Sequence, residues 1–403
     1  MVKKTPFYPR TGPLNQTMLW EHWAGYLVAQ KYQYSETFEY YAVRNSAGLF
    51  DTSPLFKYRI QGADATKFLA GVLARDVRTC KSGQAQYTIW CDDQGWILED
   101  GVILRVADDE YWLTSAEPNL RYFQNLVGYD DVTITDISED YGLLALQGPH
   151  ALNILAQLSK AIGTLGYFDL THTKIAKKNV VVSRTGYTGD LGYEVWVGKD
   201  DAVAVWDAIM AAGSGYNITP FGQKVLHMAR IDAGLILIDI EYHTARHAWI
   251  DEQRSSPIEL GFGWMFRNLQ KDDRAFIGRR AIEQQIKDKS ARWYLVGLEV
   301  DWPSYEKTYN DLGLIAPKDN TPIEEAMALY DDQQRWIGHT TSYIFSSMLK
   351  KHIAIAKVAP EFSKRGTEMQ LELMINDRPR LVKAKVVKMP FFNPERKSAN
   401  VSG

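Results

Sequence analysis

The chain has 403 residues, of which 45% are hydrophobic and 24% are charged, as expected of a globular protein with two or three domains. Its formal net charge of −3 argues against nucleic acid or an anionic membrane as a partner. The first residues lack the apolar core of a secretory signal, and no window has the length of a spanning helix, so we expect a cytoplasmic protein. Two cysteines without C-x-x-C spacing argue against a disulfide framework and a cysteine-rich metal site.

The first part of the chain predicts a helix and then a compact α+β unit. Residues 14–47 show helical spacing of their aromatic residues. In the unit that follows, Asp64 is the expected N-cap of a helix, and a turn is expected at 92–95. The strands predicted there are 57–60, 86–91, 97–106 and 111–115, and a short helix is predicted at 118–126. The succession of strands and helices delimits the unit to about 56–141.

The second part predicts a further mixed region and then a region of strands. Predicted strands are 142–147, 180–183 and 193–197, and predicted helices are 151–158, 201–211 and 222–233. Gly234 follows the last of these helices and is a favourable C-cap residue. From about residue 291, short apolar runs alternate with Gly, Pro, Asp and Asn, which predicts an all-β terminal domain.

One glycine-rich stretch, S-R-T-G-Y-T-G-D-L-G-Y-E-V-W-V-G, spans Ser183–Gly198. A phosphate-binding loop leads its glycines directly into a helix, but here the β-prone run Y-E-V-W-V follows, so a phosphate site is excluded. Strand alternation places Glu194 and Trp196 on one face. The pattern alone is compatible with a hairpin bearing a surface glutamate and with a site that uses the carboxylate.

Six segments, in order, resemble the folate-dependent aminomethyltransferase (glycine-cleavage T protein) superfamily. They are G-Q-A-Q-Y-T-I-W-C-D-D-Q-G-W-I-L-E-D-G-V, G-Y-T-G-D-L-G-Y-E, A-R-I-D-A-G, S-P-I-E-L-G-F-G-W, R-A-F-I-G-R-R-A-I and K-V-V-K-M-P-F. The resemblance implies an α+β fold: a three-domain cloverleaf around a central tetrahydrofolate channel, with an all-β C-terminal domain. The expected domains are 1–55 with 142–270, then 56–141, and then 271–403.

The resemblance also implies roles for two carboxylates. Glu194 occupies the family's pterin-binding position, and the chemistry agrees, because a carboxylate accepts the two parallel donors of a pterin edge. The preceding glycines would let the cofactor approach the backbone. Asp100 matches the second carboxylate of the family's acidic pair, near N5 of the folate, and is expected to be catalytic. The first position of that pair is Glu99 here.

Further cofactor-binding residues are implied by position in the motifs. Tyr87 and Trp264 match aromatic residues of the folate channel, and Tyr187 belongs to the glycine-rich motif. Arg230 matches the arginine of the family's R-x-[DE]-A-G helix, where it either binds the folate tail or forms a structural ion pair. Arg396 is a further candidate for the glutamyl tail.

The chain departs from the glycine-cleavage proteins ahead of this R-x-[DE]-A-G segment and again after it. Leu226 replaces an arginine, and a longer loop over 240–256 contains Tyr242, His243, Arg246, His247 and Trp249. The i,i+4 spacing of the two histidines suits a metal site only on a helix with a third ligand, and no third ligand is evident, so no metal is expected.

The main hypothesis follows from the combination of Y-T-x-W-C-D-x-x-G, E-D-G-V and the long loop, which resembles the tetrahydrofolate-dependent demethylase branch. The expected reaction moves a methyl group from oxygen, sulfur or nitrogen of a small metabolite to N5 of tetrahydrofolate. An ether donor needs its leaving oxygen protonated, and Tyr242 is the candidate catalytic acid. A sulfonium or ammonium donor needs no acid.

Three other functions compete with the demethylase. The first is an aminomethyltransferase of the glycine cleavage system, whose partner is a lipoylated carrier protein. The second is a non-catalytic folate-binding paralogue, but the K-G-C-[FY]-x-G-Q-E motif of such proteins is replaced by R-T-G-Y-T-G-D-L-G-Y-E. The third, a dinucleotide-dependent oxidoreductase, lacks a strand–G-x-G-x-x-G–helix unit.

Overall fold

The computed structural model describes residues 2–400. The helices are α1 (Tyr8–Leu14), α2 (Glu36–Asn45), α3 (Ala65–Val72), α4 (Leu120–Leu126), α5 (Ala151–Leu158), α6 (Ala202–Gly213), α7 (Gln223–Asp232), α8 (Arg279–Asp288) and α9 (Trp302–Asn310). The strands of the first 220 residues are β1 (Trp20–Trp23), β2 (Tyr26–Ala29), β3 (Gly48–Asp51), β4 (Phe56–Gln61), β5 (Gln84–Cys91), β6 (Ile97–Ala107), β7 (Glu110–Ser115), β8 (Thr133–Asp136), β9 (Tyr141–Gln147), β10 (Leu170–Ile175), β11 (Lys178–Ser183), β12 (Gly192–Gly198) and β13 (Thr219–Pro220). The later strands are β14 (Tyr294–Val300), β15 (Ala328–Tyr330), β16 (Trp336–Ser346), β17 (Lys351–Val358), β18 (Glu368–Ile375) and β19 (Arg378–Val387).

The first large sheet has six strands in the order β10-β11-β12-β9-β3-β13. Strand β12 lies in its interior, antiparallel to β11 and β9, so that Glu194 faces Ser183 on one side and Ala145 on the other. Apolar side chains of this sheet form one buried cluster with those of α5 and α6, which includes Val195, Leu155 and Trp206. This buried, paired position holds the backbone of Glu194 in a fixed register.

A second sheet has five strands in the order β5-β6-β7-β4-β8. Strands β5 and β6 form the hairpin expected around Asp92–Gly95, and Asp100 of β6 lies opposite Ile89. Helices α3 and α4 cover one face, where Phe68, Leu69 and Phe123 are buried.

The C-terminal strands close a barrel in the order β14-β17-β16-β15-β18-β19. The α+β fold class with an all-β C-terminal domain is therefore confirmed. The domain boundaries expected from the sequence stay a prediction. In residues 2–400, no helix combines the length and the apolarity needed to cross a membrane.

The prediction of a helix over 14–47 is wrong for its first half. Strands β1 and β2 form an antiparallel hairpin there, and the helix α2 begins only at Glu36. The turn contains Ala24 and Gly25, which have φ angles of 47° and 86°. Two positive φ angles match the right-handed twist of a tight hairpin, so the W-E-H-W and Y-L-V-A runs pair instead of continuing as a helix.

Candidate active site

Glu194 projects from β12 with its side chain half-buried. Its Oε2 accepts a hydrogen bond from the hydroxyl of Thr185, which lies in the glycine-rich loop before the strand. Burial raises the pKa of Glu194, and the Thr185 hydrogen bond opposes this shift. Within residues 2–400, the Thr185 hydroxyl is the one donor to this carboxylate, so Glu194 retains acceptor capacity for a ligand with two donors.

The glycines of the loop make room for the side chain of Gln147. A Cβ at Gly186 would lie 2.2 Å from Gln147 Oε1, and a Cβ at Gly192 would lie 2.3 Å from the same atom. Gln147 Oε1 in turn accepts a hydrogen bond from Thr188 Oγ1 at 2.8 Å. These two glycines thus admit a protein side chain, which differs from the expectation that they admit a cofactor.

Asp100 lies on β6 and accepts hydrogen bonds from two tyrosines. The hydroxyl of Tyr87 donates to Oδ2 over 3.0 Å, and the hydroxyl of Tyr242 donates to Oδ1. Burial raises the pKa of Asp100, and both tyrosine hydrogen bonds act in the opposite direction. The surroundings of Asp100 therefore disfavour its charged form, and the two hydrogen bonds offset part of that effect.

Glu99 points away from Asp100 into a closed network. Its Oε1 accepts hydrogen bonds from the backbone N–H groups of Ala116 (2.5 Å) and Glu117 (2.8 Å), and its Oε2 accepts from the Asn119 side chain. Burial, which is the largest effect, raises the pKa of Glu99 from 4.5 to about 8. The two neighbouring carboxyl groups thus have separate surroundings, as strand alternation requires.

Of the aromatic residues from the motifs, Tyr87 contacts Asp100 and Tyr187 lies near it. Tyr187 donates to the Ile236 carbonyl oxygen, and Asp100 is one of the charges that act on its raised pKa, for which burial is the main cause. Tyr87 packs against Phe262 with ring centroids 5.6 Å apart. Trp264 is 41% exposed, and the guanidinium of Arg75 lies 5.1 Å from its ring centroid.

The guanidinium of Arg230 is fully buried in the protein interior. It binds Glu241 Oε2 over 2.8 Å, Glu324 Oε1 over 2.8 Å and Ser342 Oγ over 2.9 Å. Two roles were expected for Arg230, folate-tail binding and a structural ion pair, and these contacts support the ion pair.

Arg396 forms a two-pronged ion pair with Asp190 of the glycine-rich motif. Its Nε and a terminal nitrogen lie 2.6 and 2.7 Å from the two carboxylate oxygens. The pair ties the C-terminal segment to the loop that precedes Glu194. Arg396 therefore has a structural partner in addition to its predicted role toward a glutamyl tail.

The two histidines of the altered loop do not share a helical face, because the segment from 242 to 249 forms turns. His243 Nδ1 lies 3.4 Å from Asp239 Oδ1, and both side chains are exposed. Among residues 2–400, no group of three or more His, Cys, Asp and Glu residues is arranged to hold a metal ion.

Two residues of the site were not found from the sequence. Thr185 precedes Glu194 by nine residues, and its place beside the carboxylate follows from the hairpin register that pairs Ser183 with Glu194. The two predicted strands imply this register, so the sequence could have indicated the position of Thr185. No pattern in the sequence indicated Glu241, because its partners come from α7 and from the barrel.

Comparisons with known proteins agree with this architecture. The model of the GCVT N-terminal domain matches residues 12–268, and that of the glycine cleavage T-protein C-terminal barrel domain matches residues 312–393. A protein of Bacillus velezensis named aminomethyltransferase is 33% identical over 367 residues, which cover 89% of this chain and 90% of the relative. One of Anoxybacillus flavithermus with the same name is 31% identical over 400 residues, covering 97% and 99% of the two chains.

Among solved structures, the glycine cleavage system aminomethyltransferase T from Bartonella henselae has the same fold. Its TM-score is 0.82 with 22% identity, and the match covers 98% of this chain and 99% of that chain. The two matching domain models and the relatives above 30% identity agree on one family. The chain belongs to the glycine-cleavage T-protein (GCVT) family of aminomethyltransferases.

Proposed function

We propose that this protein is a tetrahydrofolate-dependent aminomethyltransferase whose donor is an aminomethyl group on a lipoylated carrier protein. The observation that carries the proposal is the half-buried Asp100 carboxylate, fixed by the hydroxyls of Tyr87 and Tyr242 in a chain of this family. Tetrahydrofolate is the co-substrate of these aminomethyltransferases, and when bound it supplies the nitrogen nucleophiles that take up the one-carbon unit. The proposed partner is therefore the carrier protein and not a small methylated substrate.

Glu194 is the residue proposed to hold the pterin. The edge of a reduced pterin presents two parallel N–H donors, and an ionised carboxylate is the side chain that accepts both. Thr185 occupies part of the acceptor capacity of Oε2, so the remaining lone pairs fit such an edge. Tyr87, Tyr187 and Trp264 are proposed to supply aromatic surface to the folate, as their positions in the motifs imply.

Asp100 is the residue proposed to act at the reacting carbon. When the carbon–sulfur bond of an aminomethyl thioether breaks, its electron pair leaves with the lipoyl sulfur as a thiolate. The nitrogen lone pair delocalises toward the carbon at the same time, and positive charge develops on the N–C unit. A buried carboxylate stabilises that charge more strongly than one in water. The two tyrosine hydrogen bonds keep the carboxylate oriented, so that little reorganisation is needed during the reaction.

The geometry of Tyr242 supports the aminomethyl donor over an ether. Its hydroxyl proton is already donated to Asp100, and burial raises the pKa of Tyr242 well above its usual value. A weaker acid whose proton is engaged is a poor catalyst for protonating a leaving oxygen. Tyr242 is thus proposed to position Asp100, in place of the acid role expected from the sequence.

The test supplies tetrahydrofolate and an aminomethyl-loaded lipoyl carrier protein and measures ammonia together with methylene-tetrahydrofolate. We expect turnover by the unmodified enzyme and a loss of roughly 100-fold or more in Asp100→Asn, with folate affinity largely kept. Glu361→Gln, an exposed carboxylate on the barrel, is the matched control. Absence of methylene-tetrahydrofolate from the unmodified enzyme, with methyl-tetrahydrofolate formed from a small donor, would refute the proposal.

A second candidate is methyl transfer from a small methylated donor to tetrahydrofolate. The observation in its favour is that Tyr242 reaches Asp100 from the loop that departs from the family motif. If the donor is an ether, Tyr242→Phe should slow methyl-tetrahydrofolate formation strongly, whereas a sulfonium or ammonium donor should be affected little. Mass spectrometry of the folate products across donor classes distinguishes these cases.

A further inference from the structure

The consecutive residues Glu241 and Tyr242 connect different parts of the molecule. The Glu241 carboxylate is buried between α7 and the barrel, and the Tyr242 hydroxyl reaches Asp100 on β6. Their backbone belongs to a tight turn, in which Asp239 N–H donates to the Tyr242 carbonyl oxygen over 2.7 Å. A displacement of one of the two side chains is therefore transmitted to the other through the turn.

All the contacts of the Glu241 carboxylate hold this turn in place. Its Oε2 accepts from Arg230 and from the backbone N–H of Leu237, both over 2.8 Å. Its Oε1 accepts from Thr341 Oγ1 over 3.0 Å and from Ser342 Oγ over 2.6 Å. A buried carboxylate with four donors has little freedom to move, because any displacement leaves a charged group without partners.

We propose that Glu241 is a positioning residue for Asp100, and that it acts through Tyr242. The ion pair and hydroxyl contacts of Glu241 fix the turn, the turn fixes the Tyr242 ring, and the Tyr242 hydroxyl holds Asp100 Oδ1. The importance of Asp100 rests on the proposed function. The chain of contacts from Glu241 through Tyr242 to Asp100, here called the relay, does not depend on that function, because it can be measured in the protein without substrate.

The groups around Asp100 determine the sign of the expected effect. They are Tyr87 from β5, Glu99 from β6, Tyr187 from the glycine-rich loop and Tyr242. A hydrogen bond donated to the carboxylate stabilises its charged form, so loss of the Tyr242 donor must raise the pKa of Asp100 further.

The test is a pH titration of aspartate side-chain carbons in the full-length protein labelled with ¹³C-aspartate. The Asp100 signal is identified by its absence from Asp100→Asn. We expect the Asp100 pKa to rise by roughly half a unit to one unit in Tyr242→Phe, which removes one hydrogen bond. Glu241→Ala should produce a shift of the same sign and similar size, and the double variant should shift no further than Tyr242→Phe.

Two variants serve as comparisons. Glu241→Gln keeps an acceptor for Arg230 and Leu237, so it should restore the Asp100 titration of the unmodified protein even if its melting temperature falls. Glu324→Gln removes the other carboxylate on Arg230. Among residues 2–400, the Glu324 carboxylate pairs with Arg230 and His227 and not with the turn, so this variant should leave the titration unchanged. If Glu241→Ala does not fold, Thr341→Val removes one donor to Glu241 and should give a smaller upward shift.

A folded Glu241→Ala protein with an unchanged Asp100 titration, while Tyr242→Phe shifts, would overturn the relay. If Glu241→Ala does not fold, an unchanged titration in Thr341→Val would overturn it in the same way. Failure of the proposed function has a different result: the unmodified enzyme then forms no methylene-tetrahydrofolate, although the titrations still follow the relay. Where turnover is present, the acid limb of its pH profile should move upward in Glu241→Ala together with the titration.

Discussion

Glu194 and Asp100 are both half-buried carboxyl groups with hydroxyl donors, but their surroundings suit different tasks. Glu194 has a single donor, from Thr185, and can accept a ligand with two N–H groups. Asp100 has a tyrosine on each oxygen, which fixes its orientation. The first arrangement suits binding, and the second suits the stabilisation of developing charge.

A substitution at Glu194 tests the binding task. In Glu194→Gln the amide oxygen can accept from Thr185, so the NH₂ group faces the pterin donors. We expect tetrahydrofolate affinity in calorimetry to fall by roughly 10-fold or more, since a charge-assisted pair is replaced by facing donors. Unchanged affinity would remove Glu194 from the proposed pterin site, and Glu361→Gln controls for a general effect of charge.

Strand β6 places Glu99 and Asp100 on opposite faces of one sheet. This alternation gives Glu99 a closed network with Asn119 and leaves Asp100 to the tyrosines. Asn119 is itself held, because its side-chain oxygen accepts from Arg246 over 2.8 Å. The altered loop and the second sheet are thus joined on both faces of β6.

The raised pKa of Glu99 predicts a pH-dependent stability. Between its ordinary value of 4.5 and about 8, the folded protein keeps a proton on Glu99 that the unfolded chain has lost. Stability must therefore fall as pH rises through this window, by at most about 1.4 kcal/mol per pH unit. Urea denaturation at pH 5, 6.5 and 8 should show this slope in the unmodified protein relative to Glu99→Gln. An opposite slope would mean that the N–H donors keep Glu99 ionised.

At the scale of the whole molecule, Arg230 joins three regions. It extends from α7, pairs with Glu241 of the altered loop, and reaches Glu324 and Ser342 beside and within the barrel. Such a pair is costly to break from one side only, because the remaining buried carboxylate loses its counter-charge.

Arg230→Gln tests whether the residue acts in stability or in folate binding. We expect the free energy of unfolding to fall by roughly 3–5 kcal/mol, with tetrahydrofolate affinity changed by less than about 2-fold. Thermal unfolding and calorimetry measure the two quantities, and Arg280→Gln on the exposed side of α8 is the control. Loss of affinity without loss of stability would favour the folate tail instead.

Local patterns were sufficient for much of the fold. Alternating runs predicted β5, β6, β11 and β12, and the change of texture after residue 291 predicted the barrel strands. The hairpin of β1 and β2 replaces a predicted helix. The helical spacing of the aromatic residues favoured the helix, although the Ala24-Gly25 turn is typical of a hairpin. The motif segments pointed to the family through their order along the chain, and the family matches agree with them.

The sequence by itself determined the family, the fold class and the strands that carry Glu194 and Asp100. The folate-binding role of Glu194 stays a prediction. Only the tertiary structure decided that Tyr242 lies on Asp100, 142 residues away, and that Arg230 is engaged with Glu241. The physical reason is that periodicity reports which face of its own element a side chain occupies, whereas a hydrogen-bond partner depends on how distant elements pack.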